Sequence, residues 1–168
     1  MQFLHYLILA IISSVGLAVG IILAKVTEEE LKEGSVFFPW IQRTILLSTI
    51  AIIFIILRLY YYIIPLLLVA ILLFIYIALN KKSTLLLSYG VLGVLLSLSS
   101  NHLLLTEVTS GLAFFFGFPT GSLMYYHTKK KHFSAFMQQS LPAILLFLVI
   151  ALACFFLFKT PSTMLVIT

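Results

Sequence analysis

The residues best equipped for chemistry in this chain are Asn101, His102 and Glu107, with Thr106, Thr109 and Ser110 close by. Glu107 stands apart from the other acidic residues, which all fall within 28–33, and the chain has no Asp. A carboxylate and an imidazole at the end of an apolar hairpin can relay protons or contact a polar substrate, provided they lie below the lipid headgroups. Helical geometry constrains the pair. Residues five apart on one helix point about 140° apart at ~3.6 residues per turn. His102 and Glu107 therefore meet only if the chain turns between them. The plainer reading is the wet end of a hairpin, so the three residues are a candidate polar or transport site and no residue is assigned to catalysis.

A second constellation is Gly117-Phe-Pro119-Thr120-Gly121-Ser122. Proline removes a backbone donor and the flanking glycines permit a kink, so this reads as a helix break. Broken membrane helices expose carbonyls and amides that transporters use to hold ions and substrates. A kink that only improves packing fits as well.

Metal and covalent chemistry have little to work with. His127 and His132 flank a mobile-looking basic run and lack the spacing of a zinc motif such as H-E-x-x-H. Cys154 is the only cysteine and reads as a small apolar residue within a helix. The sequence contains no nucleophile elbow, no Walker loop and no paired intramembrane carboxylates. No metal or other cofactor is expected.

The elements that must position these residues are membrane helices. Hydrophobic residues make up 62% of the 168 and charged ones 9%, against roughly 25% charged in a soluble domain. The charges gather at the edges of apolar runs such as residues 3–24, 60–79 and 141–158, each near the ~20 residues that span a bilayer core. The polar stretches 25–35 and 127–140 are too short to bury a core. One all-α transmembrane domain over 1–168 follows, and chemistry belongs among the helices, at the membrane surface or on a partner. The net charge of +5 reads as topology signals and headgroup contacts, with no nucleic-acid partner.

The spacing predicts six transmembrane helices over about 3–24, 37–57, 61–79, 83–105, 110–127 and 141–158. The alternative is five plus a re-entrant segment at 110–127. The first run is longer than the apolar core of a signal peptide and lacks a clear cleavage site, so it is taken as a helix that stays. Gly16, Gly20 and Ala24 recur every four residues, the small-residue spacing that admits a neighbouring backbone. Gly90 and Gly93 are expected to pack likewise. Thr27 as an N-cap with Glu30 at the capping-box position predicts a short surface helix over 28–33, closed by Gly34. A tight hairpin is expected at 58–61, and Pro142 in the first turn of the last helix.

Six crossings put the connectors 25–40, 80–83 and 127–140 on one side. That side carries Lys25, Lys32, Arg43, Lys81, Lys82, Lys129, Lys130 and Lys131, leaving Arg58 and Lys159 on the other. The positive-inside rule makes the basic side cytoplasmic and puts both termini opposite. Lys81, Lys82 and Lys129 to Lys131 are expected at lipid headgroups. Five crossings spread the cations six against four and lose the asymmetry. The two halves do not share a connector pattern, so no inverted transporter repeat is supported.

Size, the absence of a soluble domain and the scarcity of buried ionisable groups favour a non-enzymatic multi-pass protein, a subunit or assembly factor of a larger membrane complex. The expected partners are the lipid bilayer and another membrane protein or further copies of this chain. The alternative is a small oligomeric channel or transporter using Asn101, His102, Glu107 and the Gly117–Ser122 segment. A membrane-embedded enzyme comes third.

Overall fold

The computed structural model describes residues 3–29, 31–56, 84–128 and 133–158. Among them the chain is helical, with no strand. The elements are α1 (Phe3–Val26), the short α2 (Leu31–Gly34), α3 (Phe38–Ile56), α4 (Thr84–Leu98), a 3-10 turn (Ser99–Asn101), α5 (Leu103–Thr128) and α6 (Phe133–Phe158). Among the described residues, three apolar helices are long enough to cross a membrane: Phe3–Val26, Phe38–Ile56 and Leu103–Tyr126. Leu87–Asn101 and Ser140–Phe156 are shorter apolar stretches. The helix expected over 61–79, its hairpin at 58–61 and the loop 80–83 lie outside the described residues.

Contacts fix the helix directions. His5 lies beside Glu107, Ser13 beside Ser110, and Gly20 beside Ser122, so α1 and α5 run parallel. Phe3 and Tyr6 meet Phe155, so α6 finishes where α1 starts. Gly90 faces Leu146 and Ile150 while Gly93 faces Phe147 and Ala151, so α4 runs parallel to α6. Gln42, near the start of α3, bonds Thr120 in the second half of α5, and α3 runs back along that helix. Two ends result. One gathers the starts of α1 and α5 with the ends of α3, α4 and α6. The other gathers the end of α1, the starts of α3 and α4, the end of α5 and the start of α6.

The central seam is α1 on α5, and small residues make it. A methyl group on Gly20 would stand 2.6 Å from the carbonyl oxygens of Gly117 and Phe118. One on Gly16 would strike the Phe114 carbonyl, and one on Gly117 would strike the Gly16 and Leu17 backbone. Ala24 is buried on the same helix. In lipid, apolar area gives helices little reason to associate, so dispersion between closely approaching backbones carries the contact. Gly90 and Gly93 admit α6 to α4 in a looser version of the same contact. The outer faces are apolar as well: Leu4, Ile8, Val15 and Ile22 on α1 and Leu145 and Val149 on α6 are exposed.

Several expectations need correction. The hairpin between the fourth and fifth spans sits at Ser99–His102, well before residues 105–110. Ser99 and Thr106 explain the shift, because their hydroxyls offer turn carbonyls a partner outside the helical ladder. Ser99 donates to Leu96 O at 2.7 Å, and Thr106 Oγ1 reaches Ser99 O at 2.7 Å. With its start moved to Leu103, α5 is a continuous 26-residue helix, long and apolar enough to cross a membrane.

The Gly117, Pro119, Thr120, Gly121 and Ser122 segment does not break α5, which continues through Pro119. One missing donor is tolerated where neighbours and hydroxyls hold the backbone. Here Thr120 Oγ1 donates to Phe116 O at 2.7 Å while α1 clamps Gly117 and Gly121. At the far end α6 begins at Phe133, which places Pro142 inside the helix. Thr27 is no N-cap: its hydroxyl donates back to Leu23 O at 3.1 Å, continuing α1, and α2 is only four residues long. Gly34 is the last residue of α2.

Candidate functional site

The turn between α4 and α5 is built by its own hydroxyls. His102 is extended, its N–H donates to Ser99 O at 2.9 Å, and its carbonyl accepts from Thr106 N at 3.0 Å. This geometry commits the backbone and leaves the side chains of Asn101 and His102 exposed. They lie at one end of the bundle and do not converge on its interior.

Glu107 turns toward α1 and away from His102. Its Oε1 lies 3.6 Å from His5 Nε2, with the two side chains 50% and 45% exposed. Half-exposed pairs of this kind contribute about 0–1 kcal/mol, so the pair marks a helix register and does not hold the bundle together. His5 is the partner that sequence reasoning missed. Its signal was faint: it shares a membrane side with residues 106–110 in the six-crossing arrangement, but nothing in the chain says that α1 neighbours α5.

Below this pair, about one helical turn along α5 and two along α1, lies a hydroxyl node. Ser13 Oγ is 2.8 Å from Leu9 O and 2.9 Å from Ser110 Oγ, and Ser110 Oγ is 3.0 Å from Leu9 O. Two protons serve this set. One hydroxyl donates to the Leu9 carbonyl, and the other donates across the seam between the serines. Ser13 and Ser110 are in phase with Gly16 and Gly117, and that continuity of small residues on both helices is the signal that could have found the node.

The rest of the polar interior follows the same rule. Apart from tyrosines, every buried polar residue described is Ser or Thr. Ser14, Thr49, Ser97 and Thr109 each donate to a carbonyl three or four residues back at 2.7 Å. A hydroxyl bonded to a carbonyl is not activated as a nucleophile, because nothing takes its proton. Among the described residues, no three of His, Cys, Asp and Glu form a metal-holding group. His102 is exposed at its turn, and the side chain of His127 and all of His132 lie outside the described residues. Cys154 is half-buried in α6.

Tyr89 departs from this pattern. It is buried between Phe116 and Phe147, whose rings meet it edge-on at 5.8 and 6.1 Å. Among the described residues its hydroxyl has no hydrogen-bond partner. Leaving a buried donor unmade costs about 1–3 kcal/mol. Tyr89→Phe keeps both ring contacts and is expected to raise the melting temperature of the protein in detergent. A lower melting temperature would mean that the hydroxyl is bonded.

The seam residues Gly16, Gly20, Gly117 and Gly121 are brought together, as are Gly90 and Gly93 with α6. Asn101, His102 and Glu107 do not form one cluster. Lys81, Lys82, Lys129, Lys130 and Lys131 lie outside the described residues. No protein-family model, no curated protein and no solved structure matches this chain.

Proposed function

We propose that the chain is a non-enzymatic membrane protein of six crossings that serves as a subunit or assembly factor of a larger membrane complex. The observation that carries this reading is the use made of the polar interior. Its hydroxyls close turns and seams, and the ionisable groups His5, His102 and Glu107 sit exposed at one end. Such an interior is a scaffold. A conduction pathway would need those groups to converge, and Asn101 and His102 face outward from their turn.

The crossing number has its own support. The chain leaves α3 at one end of the bundle and enters α4 at the other, which favours an odd number of traverses in between. One traverse there, added to α1, α3, α4, α5 and α6, makes six. These directions support the expectation that the three cationic connectors share one end, which the positive-inside rule makes the cytoplasmic one in this proposal. The start of α1 and the end of α6 then face the opposite side.

A membrane subunit presents an apolar outer face to another protein as readily as to lipid. Of the three long apolar helices among the described residues, α3 is the least buried, with only Leu46, Thr49 and Ile53 covered. It is the face on which a partner is expected. Extraction of the full chain in mild detergent is expected to bring down a second membrane protein at a fixed ratio. Recovery as a lone monomer in every mild detergent would overturn the reading.

A further inference from the structure

We propose that His5 and Glu107 bind a divalent transition-metal ion, zinc being the representative, which clips the start of α1 to α5. The inference depends neither on the number of crossings nor on a protein partner.

The gap between the two side chains is the first observation. His5 Nε2 and Glu107 Oε1 stand 3.6 Å apart. A charge-assisted N–H···O bond is shorter, about 2.7–2.9 Å. A tetrahedral zinc ion, with Zn–N and Zn–O lengths of about 2.0–2.2 Å, separates two such ligand atoms by about 3.4 Å. The pair is spaced for an ion between its atoms, and a small side-chain shift seats it. The side chains are 45% and 50% exposed, so an ion reaches them and keeps water at its remaining positions.

The backbone beneath fixes the spacing before any ion arrives. His5 lies in the first turn of α1 and Glu107 in the second turn of α5. Tyr6, the next residue on α1, is fully buried and donates to Ala151 O at 2.9 Å, which sets the rotation of that turn. Farther along the seam Ser13 Oγ meets Ser110 Oγ at 2.9 Å, and a methyl group on Gly16 would strike the Phe114 backbone. The two ligands project from helices already locked in register. Binding costs only the freedom of two half-exposed side chains.

The donor set selects the ion. One imidazole nitrogen and one carboxylate suit zinc and its neighbours in the transition series. Calcium and magnesium are held by oxygen ligands, of which Glu107 supplies too few. Among the described residues no third His, Cys, Asp or Glu joins the pair. The site is a two-residue clip of modest affinity and not a closed structural centre of four ligands.

The test is titration of the full chain in mild detergent with zinc chloride, and in parallel with magnesium chloride, followed by calorimetry and by thermal unfolding. The parent is expected to bind zinc and to melt higher in its presence, because an ion that binds only the folded chain stabilises it. His5→Ala and Glu107→Gln should each weaken zinc binding at least about tenfold, the lower limit for losing even an outer-shell partner. Both variants should fold, because a half-exposed pair contributes little to stability. His102→Ala should leave the zinc response unchanged, and magnesium should produce none. An absent zinc response in the parent, a response retained in either folded variant, its loss in His102→Ala, or an equal response to magnesium would each overturn the proposal. No partner protein enters the assay, so its failure leaves the subunit reading standing, and a missing partner leaves the zinc result standing.

Discussion

Gly117→Leu is expected to unseat α1 from α5 and leave the protein unable to hold its native packing in detergent. The reason is geometric. A methyl group at this position already collides with the backbone of Gly16 and Leu17, which cannot rotate away as a side chain would. Gly117→Ala should therefore cost about 1–3 kcal/mol, as overpacking typically does, and the longer side chain more. Gly111 supplies the contrast on the same helix, since a methyl group there meets nothing within 4 Å. Gly111→Ala removes glycine's helix penalty, roughly 0.8–1 kcal/mol, and should raise the melting temperature. Gly90→Ala falls between them: its methyl group would find Ile150 Cδ1 at 3.4 Å, an ordinary contact with the end of a side chain. The checking measurement is thermal unfolding of the four variants and the parent in one detergent. Equal melting of Gly117→Leu and Gly111→Ala would show that α1 and α5 do not meet at their backbones.

The presence of helices long and apolar enough to cross a membrane was legible in the spacing of the charges, and the reason lies in the solvent such helices suit. A bilayer penalises charge so heavily that Lys25, Arg43 and Lys129 to Lys131 have nowhere to stand except at the edges of the spans. Small-residue spacing in α1 was legible for a related reason, because a side chain anywhere on that face would exclude a neighbour. The boundaries were harder to read. Ser99 and Thr106 move the hairpin by bonding to carbonyls at the turn, and their residue types do not say which carbonyl each will choose. Pro119 was read as a break because the rule is local, whereas its tolerance depends on α1 pressing against Gly117 and Gly121. The His5–Glu107 pair was illegible for a third reason. It depends on which helix neighbours which, and apolar faces of similar composition carry almost no information about that. The small-residue stripe on α5, from Ser110 through Gly117 to Gly121, was the one available clue to its neighbour. It was masked by reading the glycines as part of a kink.

Tyr6→Ala is expected to be the most damaging single truncation outside the glycine seam. Tyr6 is fully buried at the end of the bundle where α1 meets α6. Its ring stacks on Phe155 with centroids 4.4 Å apart, and its hydroxyl donates to Ala151 O at 2.9 Å. Truncation to Ala leaves a ring-sized void between two helices, and aromatic truncations in packed cores cost about 3–5 kcal/mol. The neighbouring ring cannot fill it, because Phe155 is already engaged by Phe3 on its other contact at 5.7 Å. Tyr6→Phe separates the two contributions. It keeps the stacked ring and removes only the donor. The Ala151 carbonyl stays bonded within α6 through its other lone pair, so the loss should be near the lower end of the ~0.5–1.5 kcal/mol usual for one hydrogen bond. Unfolding of the three proteins in the same detergent should rank parent, Tyr6→Phe and Tyr6→Ala in falling order, with the larger gap in the second step. A larger gap in the first step would mean that the hydrogen bond, and not the ring, holds α1 against α6.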